Sequence, residues 1–365
     1  MQKYSFLSVF LTINSKNEKM ILVTGATGLV GGNLLWYLLQ DNERVLAIRR
    51  TSSSLKPLRT VFCFYTSEPD KYLERIDWIV ADVLDESSLW NAMINVTVVY
   101  HCAAVVSLGG AFGSITETNV AGTRNIVKVA LESGVKKFCF VSSIAACGIG
   151  KSGQLIDENT IWEDHPHKSD YNRSKFYSEQ EVWKGVEKGL NVIIVNPGVI
   201  LGISGSNTGS AQLFSQVIKG LKFYTNGGSG YVDVQDVVKS MIELMKSDIK
   251  NERFILVAEN CSNKDILSWI ADGFGKSRPK IEIGKNLLLS IGYLSEKIGK
   301  LFHFTPLIDR GTARSAVHRE YYSNEKIKKA IGFEFKKVER SIHEICSFSK
   351  DLKLKLKPKF YSHTI

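Results

Sequence analysis

Tyr171 and Lys175 stand four residues apart in Tyr171-Asn172-Arg173-Ser174-Lys175, a spacing that puts a phenol and an ammonium on one face of a helix. A phenol with an ordinary pKa of ~10 is a weak acid–base catalyst at neutral pH. A cation beside it favours the phenolate and lowers that value, so the pair can exchange a proton with a carbonyl or hydroxyl oxygen. Upstream, Phe140-Val141-Ser142-Ser143 closes an apolar run of strand length, where a hydroxyl can hydrogen-bond the same oxygen. Tyr-x-x-x-Lys alone occurs in many helices by chance; its position after a strand ending in two serines gives it weight.

The same chain carries a dinucleotide fingerprint. Met20-Ile21-Leu22-Val23 runs into Thr24-Gly25-Ala26-Thr27-Gly28-Leu29-Val30-Gly31 and then a helical segment. Of the three glycines, one permits the tight turn, one lets backbone approach a pyrophosphate, and one lets the helix lie close to the sheet. The helix N-terminus offers N–H groups and a partial positive charge to phosphates. Cofactor contacts are therefore expected at Gly25, Thr27, Gly28, Leu29, Val30 and Gly31. NAD-binding chains place an acid at the end of the second strand to hold the ribose hydroxyls. Val45-Leu46-Ala47-Ile48-Arg49-Arg50-Thr51-Ser52 has none. Arg49 and Arg50 offer bidentate phosphate binding instead, which favours NADP(H) over NAD(H). Asp82-Val83 ends the third strand, where Asp82 either accepts the adenine amino group or caps a helix or loop. His101-Cys102-Ala103-Ala104 ends the fourth; Ala103 and Ala104 leave room for a flat-lying cofactor, and His101 reads as packed.

The elements that must hold these residues are legible as alternation. Met20–Thr24, Arg44–Ile48, Ile76–Val80, Thr97–His101, Lys137–Val141 and Asn191–Val195 are near-continuous apolar runs. Segments of helical period, Leu29–Leu39, Asn119–Ser133 and Tyr171–Lys188, lie between them. Strands buried on both faces and alternating with helices predict an α/β fold, a Rossmann-type doubly wound parallel sheet. After Pro197 the rhythm changes to Gly/Ser loops and isolated helices, with Phe254–Val257 the clear strand. The expected division is an extension at 1–19, a nucleotide-binding domain at 20–198, a smaller and mostly helical substrate lobe at 199–350 interleaved with the sheet, and a basic tail at 351–365.

Composition narrows the class. At 365 residues, 44% hydrophobic and 23% charged, the chain is an ordinary globular protein with no low-complexity bias. The formal charge is +10, and residues 276–365 supply the excess, with 20 Lys/Arg against 9 Asp/Glu. Such a segment is read as a solvated face, and no nucleic-acid signature accompanies it. The six cysteines form no Cys-x-x-Cys pair and read as buried thiols of a reducing, cytoplasmic setting without a metal site. No apolar run approaches the ~20 residues of a membrane span. Leu287, Leu288, Ile291, Leu294, Ile298 and Leu301 make an apolar stripe at helical spacing, with Lys297 and Lys300 near its end. It reads as a packing face of the lobe, with membrane-surface contact as the alternative.

Taken together, the chain resembles the extended short-chain dehydrogenase/reductases, the superfamily of NAD-dependent epimerases and dehydratases. The match runs through the glycine motif, Asp82-Val83, His101–Ala104, Asn119-Val120-Ala121-Gly122-Thr123, Ser142-Ser143, Tyr171/Lys175, Asn196-Pro197-Gly198, Val232-Asp233-Val234-Gln235-Asp236-Val237 and Ser323–Phe333, about residues 20–350. The resemblance implies a catalytic triad of Ser143, Tyr171 and Lys175, with Tyr171 and Lys175 also touching the cofactor and Pro197-Gly198 backing the nicotinamide. Ser143 is preferred to Ser142 because it aligns in the Ser-Ser-x-x-x-x-Gly pattern ending at Gly148. No acid follows Ser143, unlike the sugar-nucleotide 4,6-dehydratases, and no arginine lies between Leu201 and Gly230 to hold a diphosphate. Arg49-Arg50, Val232–Val237 and the apolar 213–223 region look more like the dihydroflavonol 4-reductase and 3β-hydroxysteroid dehydrogenase branch. That implies a reductase of a carbonyl, or oxidant of a secondary alcohol, on a bulky and rather apolar small molecule. A nucleotide-sugar epimerase that keeps NAD bound is the alternative, and a non-catalytic NADP-binding protein a further one. Homodimers through the Tyr171–Lys188 helix are common in the family.

Overall fold

The computed structural model describes residues 20–106, 115, 117–150, 154–164, 168–205, 209–301 and 310–356. Six strands appear where the apolar runs place them: β1 Ile21–Thr24, β2 Val45–Arg49, β3 Ile76–Val80, β4 Val98–His101, β5 Lys137–Val141 and β6 Val192–Pro197. The lobe adds β7 Val199–Leu201, β8 Phe223–Tyr224, β9 Gly228–Asp233, β10 Glu252–Leu256, β11 Glu259–Ser262 and β12 Ile281–Glu282.

Strands β1–β6 and β10 form one seven-stranded parallel sheet in the order β10-β6-β5-β4-β1-β2-β3. This is the doubly wound order, with its switch point between β1 and β4, where a crevice opens at the carboxyl ends of the strands. Strands β1, β2 and β6 are buried nearly throughout, because helices cover both faces of the sheet. One apolar cluster packs the Leu29–Asp41 and Val234–Lys246 helices on one face. A second packs the Gly122–Glu132 and Asp170–Glu187 helices on the other.

The lobe is mostly helical, as the sequence suggests, and adds short strands. Strands β11-β9-β7 form a three-stranded sheet and β12-β8 a two-stranded pair, both built from runs of two to six residues. Such strands are too short to print an alternation in the sequence. Its apolar cluster joins Phe214 and Val217 to the Asn263–Phe274 and Val338–Leu356 helices. Asp233 is a structural residue: its carboxylate caps the Val234–Lys246 helix at Gln235 N (2.7 Å) and pairs with Lys336 (3.2 Å).

The stripe at 287–298 is not a packing face. On the Lys285–Leu301 helix, Leu288 is buried, whereas Leu287, Ile291, Leu294 and Ile298 are exposed. The positions turned inward beside Leu288 are Gly292, Ser295 and Gly299. The helix packs against the neighbouring Arg310–Val317 helix with its large apolar residues on the outside.

The extension at 1–19 lies outside the described residues, as does the tail beyond Leu356; Val338–Leu356 is one helix that crosses the expected boundary at 350. No helix among the described residues is long and apolar enough to cross a membrane. All six cysteines are free thiols.

Candidate active site

The glycine loop is a cradle that tolerates no side chain at its ends. Gly25 has φ +64°, in the left-handed region, and a Cβ on it would stand 2.6 Å from Ala103 N. A Cβ on Gly31 would stand 2.3 Å from the Gly25 carbonyl oxygen. The loop is therefore pressed against the end of β4 on one side and the following helix on the other. That helix begins after Gly28, with no capping side chain and no acid in its first turn, so its N-terminal dipole is left to an external anion. Thr27, Leu29 and Val30 are partly buried along the rim and Gly28 is exposed.

Around the loop the expected cofactor residues converge. Ala103 N donates to Thr24 Oγ1 (3.3 Å) beside the partly buried Ala104. Arg49 ends β2, and its buried Nε has no hydrogen-bond partner among the described residues. A buried guanidinium nitrogen without an acceptor is costly to leave unmade, and a phosphate would satisfy it. Arg50, one residue on, is exposed, and its backbone turns with Ser53. Asp82 uses one carboxylate oxygen on Leu84 N (3.0 Å), closing its own turn. The helix cap in that loop is Asp85, through Ser87 N. The Val83 carbonyl is held by Asn125 Nδ2 (3.0 Å). Pro197 ends β6, and Gly198 N donates to Leu256 O (3.0 Å), locking that turn to β10. An orphaned guanidinium, an uncapped helix end and a loop filled by any Cβ together fit a dinucleotide.

His101 is packed, as the sequence suggests. Its Nδ1 is 2.7 Å from Thr24 Oγ1 and its Nε2 3.3 Å from Thr123 Oγ1. Burial, with a smaller push from the Lys175 cation, lowers its pKa to about 3, so the imidazole is neutral.

The two serines diverge. Ser142 Oγ turns inward and donates to the Glu179 carboxylate (2.8 Å). Ser143 Oγ caps a short 3₁₀ turn at Ala145 N (3.1 Å), and its hydroxyl lies close enough to the Tyr171 phenol to act on it. Tyr171 lies in the first turn of the Asp170–Glu187 helix, which Ser169 caps at Asn172 N (3.2 Å). Burial raises the Tyr171 pKa from its ordinary value, and the neighbouring Ser143 hydroxyl offsets part of that rise. The lysine therefore does not dominate the phenol as the spacing suggests. Lys175 is buried, its Nζ donating to Val141 O (3.0 Å) with the Phe140 ring 5.5 Å away. Burial lowers its pKa to about 8, against the pull of Cys102 and Glu179. Hydroxyl, phenol and ammonium thus meet at the carboxyl end of β5, with Cys102 at the end of neighbouring β4.

Beneath this cluster lies a residue that the sequence reading passed over. Glu179 is 1% exposed and holds Ser142, Asn196 Nδ2 (2.9 Å) and Arg253 Nη1 (3.1 Å). Asn196 Nδ2 also donates to the Ser143 carbonyl (3.0 Å). One carboxylate therefore ties the Tyr171 helix to the ends of β5 and β6 and to β10. The available signal was spacing: Tyr171, Lys175 and Glu179 repeat at four residues and share a face. Asn119 acts similarly on the other flank, its side chain pairing with Val105 N (2.7 Å) and with Ser174 Oγ (3.1 Å).

Comparison with known proteins agrees with this geometry. The profile of a family described as male sterility protein matches residues 23–249. A putative dihydroflavonol 4-reductase of Synechocystis sp. is 28% identical over 328 residues, 88% of this chain and 91% of that protein. Sterol demethylase protein B of Methylococcus capsulatus is 30% identical over 285 residues, 77% of this chain and 82% of that one. Among solved structures, the UDP-glucuronic acid 4-epimerase of Bacillus cereus, in complex with UDP-glucuronic acid and NAD, superposes with a TM-score of 0.70. It is 17% identical and covers 91% of this chain and 99% of its own; the likeness is one of fold.

Proposed function

We infer the reaction from a fixed premise: the chain belongs to the extended short-chain dehydrogenase/reductases, a superfamily of NAD(P)-dependent reductases and epimerases. It reduces the carbonyl of a bulky, rather apolar small molecule with NADPH, or oxidises the matching secondary alcohol. The observation that carries this reading is the placing of Ser143, Tyr171 and Lys175 together at the carboxyl end of β5, with Lys175 held on Val141 O, beside a nucleotide cradle.

Bound NADPH supplies the hydride. Ser143 holds the substrate oxygen, and Tyr171 gives it a proton as negative charge develops there. A phenol with a raised pKa is protonated throughout the physiological range, as an acid for reduction must be. The Lys175 ammonium stabilises the phenolate left behind. The absence of arginine between Leu201 and Gly230 favours an apolar substrate over one carrying a diphosphate. The partnerless Arg49 Nε favours the extra phosphate of NADP(H).

Fluorescence titration of nucleotide-free protein with NADPH and with NADH tests the reading. A tenfold preference for NADPH, ~1.4 kcal/mol, is expected. A preference for NADH, or NAD that resists removal, would instead make the protein a nucleotide-sugar epimerase.

A further inference from the structure

We propose that the lobe docks on an anionic lipid surface through the Lys285–Leu301 helix and the β8–β12 pair that precedes it. The helix is inverted relative to one that packs into a core: Gly292, Ser295 and Gly299 face inward, whereas Leu287 (59%), Ile291 (36%), Leu294 (58%) and Ile298 (40%) are exposed. These four recur at intervals of four, three and four residues, one continuous stripe along the helix. Tyr293 is also exposed, its ring under the Lys297 ammonium at 4.5 Å. Just upstream, Ile281 and Phe223 are register partners, 50% and 44% exposed. Partners in register project to the same side of the pair.

Charge selects the occupant. Lys219, Lys222, Lys280, Lys285 and Lys297 are exposed around these side chains. Lys222 and Lys280 are adjacent, through Lys280 N to Lys222 O at 3.1 Å. Between residues 276 and 301, six Lys/Arg stand against two Glu. Apolar side chains flanked by lysines match a bilayer surface, where the apolar groups enter the acyl boundary and the ammonium groups meet anionic headgroups. A second copy of this chain would bring the same lysines against one another, which disfavours self-association through this face. With no spanning helix among the described residues, the attachment is peripheral and reversible. This inference stands independently of the reductase reading.

Co-sedimentation of the full chain with vesicles tests it. The protein is expected to pellet with vesicles of equal parts phosphatidylcholine and phosphatidylglycerol, far less with phosphatidylcholine alone, and to be released by high salt. The double variant Leu287→Ser/Leu294→Ser is expected to lose at least tenfold in partitioning. Both side chains are exposed, so the variant should keep the wild-type melting temperature and nucleotide affinity, which verifies its fold. Wild-type protein that stays in the supernatant, or a variant that pellets equally well, overturns the proposal. A wild-type dimer in light scattering that the variant converts to monomer assigns the face to self-association and also overturns it.

Discussion

The nucleotide half and the lobe place the same kind of close contact differently along the chain. At the glycine loop the constraint is backbone against backbone: a Cβ on Gly31 would stand 2.3 Å from a carbonyl oxygen and one on Gly25 2.6 Å from an amide nitrogen. The lobe has such contacts too, Gly205 against Pro57 O (2.4 Å) and Gly227 against Ala316 O (2.3 Å), but they are scattered singly, among glycines such as Gly209 and Gly220 where nothing lies within 4 Å of a Cβ. Where backbone meets backbone in succession, one residue type is admitted and the sequence must carry a motif. Where side chains meet side chains or solvent, many sequences serve, and the motif dissolves. The glycine loop is therefore written as one contiguous motif, whereas the close contacts of the lobe leave isolated glycines that spell nothing recognisable.

Replacing Tyr171 with Phe should have the largest effect. It should lower turnover by ~10³-fold or more and leave the NADPH dissociation constant within about threefold, because the phenol acts on the substrate oxygen. Stopped-flow hydride transfer measures the first and fluorescence titration the second; turnover near wild type would remove Tyr171 from the chemistry. Gly31→Ala should come next, forcing the helix off the loop at a cost of about 2–4 kcal/mol in urea unfolding and weakening nucleotide binding in step. Arg49→Ala should raise the NADPH dissociation constant about tenfold, ~1.4 kcal/mol, and leave that of NADH unchanged. Equal losses for both nucleotides would make Arg49 structural.

The Lys175 pKa, lowered to about 8 by burial, predicts opposed pH responses. The ammonium is the form below pH 8, so kcat for reduction should fall severalfold as pH rises through about 8. Lys175→Arg, which stays charged, should flatten that limb. Stability should move the other way, because an unfolded lysine keeps its proton to ~10.4. Between pH 8 and ~10.4 the unfolded state holds more protons, and unfolding free energy should rise with pH. Guanidinium titrations across that window give the sign directly. The smallest effect sharpens the comparison from the lobe side: Gly220→Ala, with φ +88° but open space around it, should cost only ~1 kcal/mol.

Strands β1–β6 were readable to within about two residues because strands buried on both faces are apolar runs. Gly25 to Gly31, Ser143, Tyr171 and Lys175 stand out as candidates because position reinforces residue type. Glu179 was not, since a glutamate in a polar helix looks like a solvated one until the fold buries it against Ser142, Asn196 and Arg253. The stripe at 287–298 shows the converse. Periodicity reveals that one face is apolar; it does not reveal whether anything covers that face. Strands β7–β9, β11 and β12 are set by tertiary pairing, which local composition does not encode.

His101 sits between Thr24 and Thr123 with its pKa lowered to about 3, mainly by burial, whereas the same imidazole in an unfolded chain takes up its proton near pH 6.5. Between those values only the unfolded chain is protonated at this position, so acid drains stability from the fold with each step down from pH 6.5 towards 3. The loss accumulates to several kcal/mol, a large share of the 5–15 kcal/mol that holds a typical domain together. The imidazole packed between Thr24 and Thr123 is in that sense also a fuse: it makes the fold weaker in acid than at neutral pH, whatever the substrate.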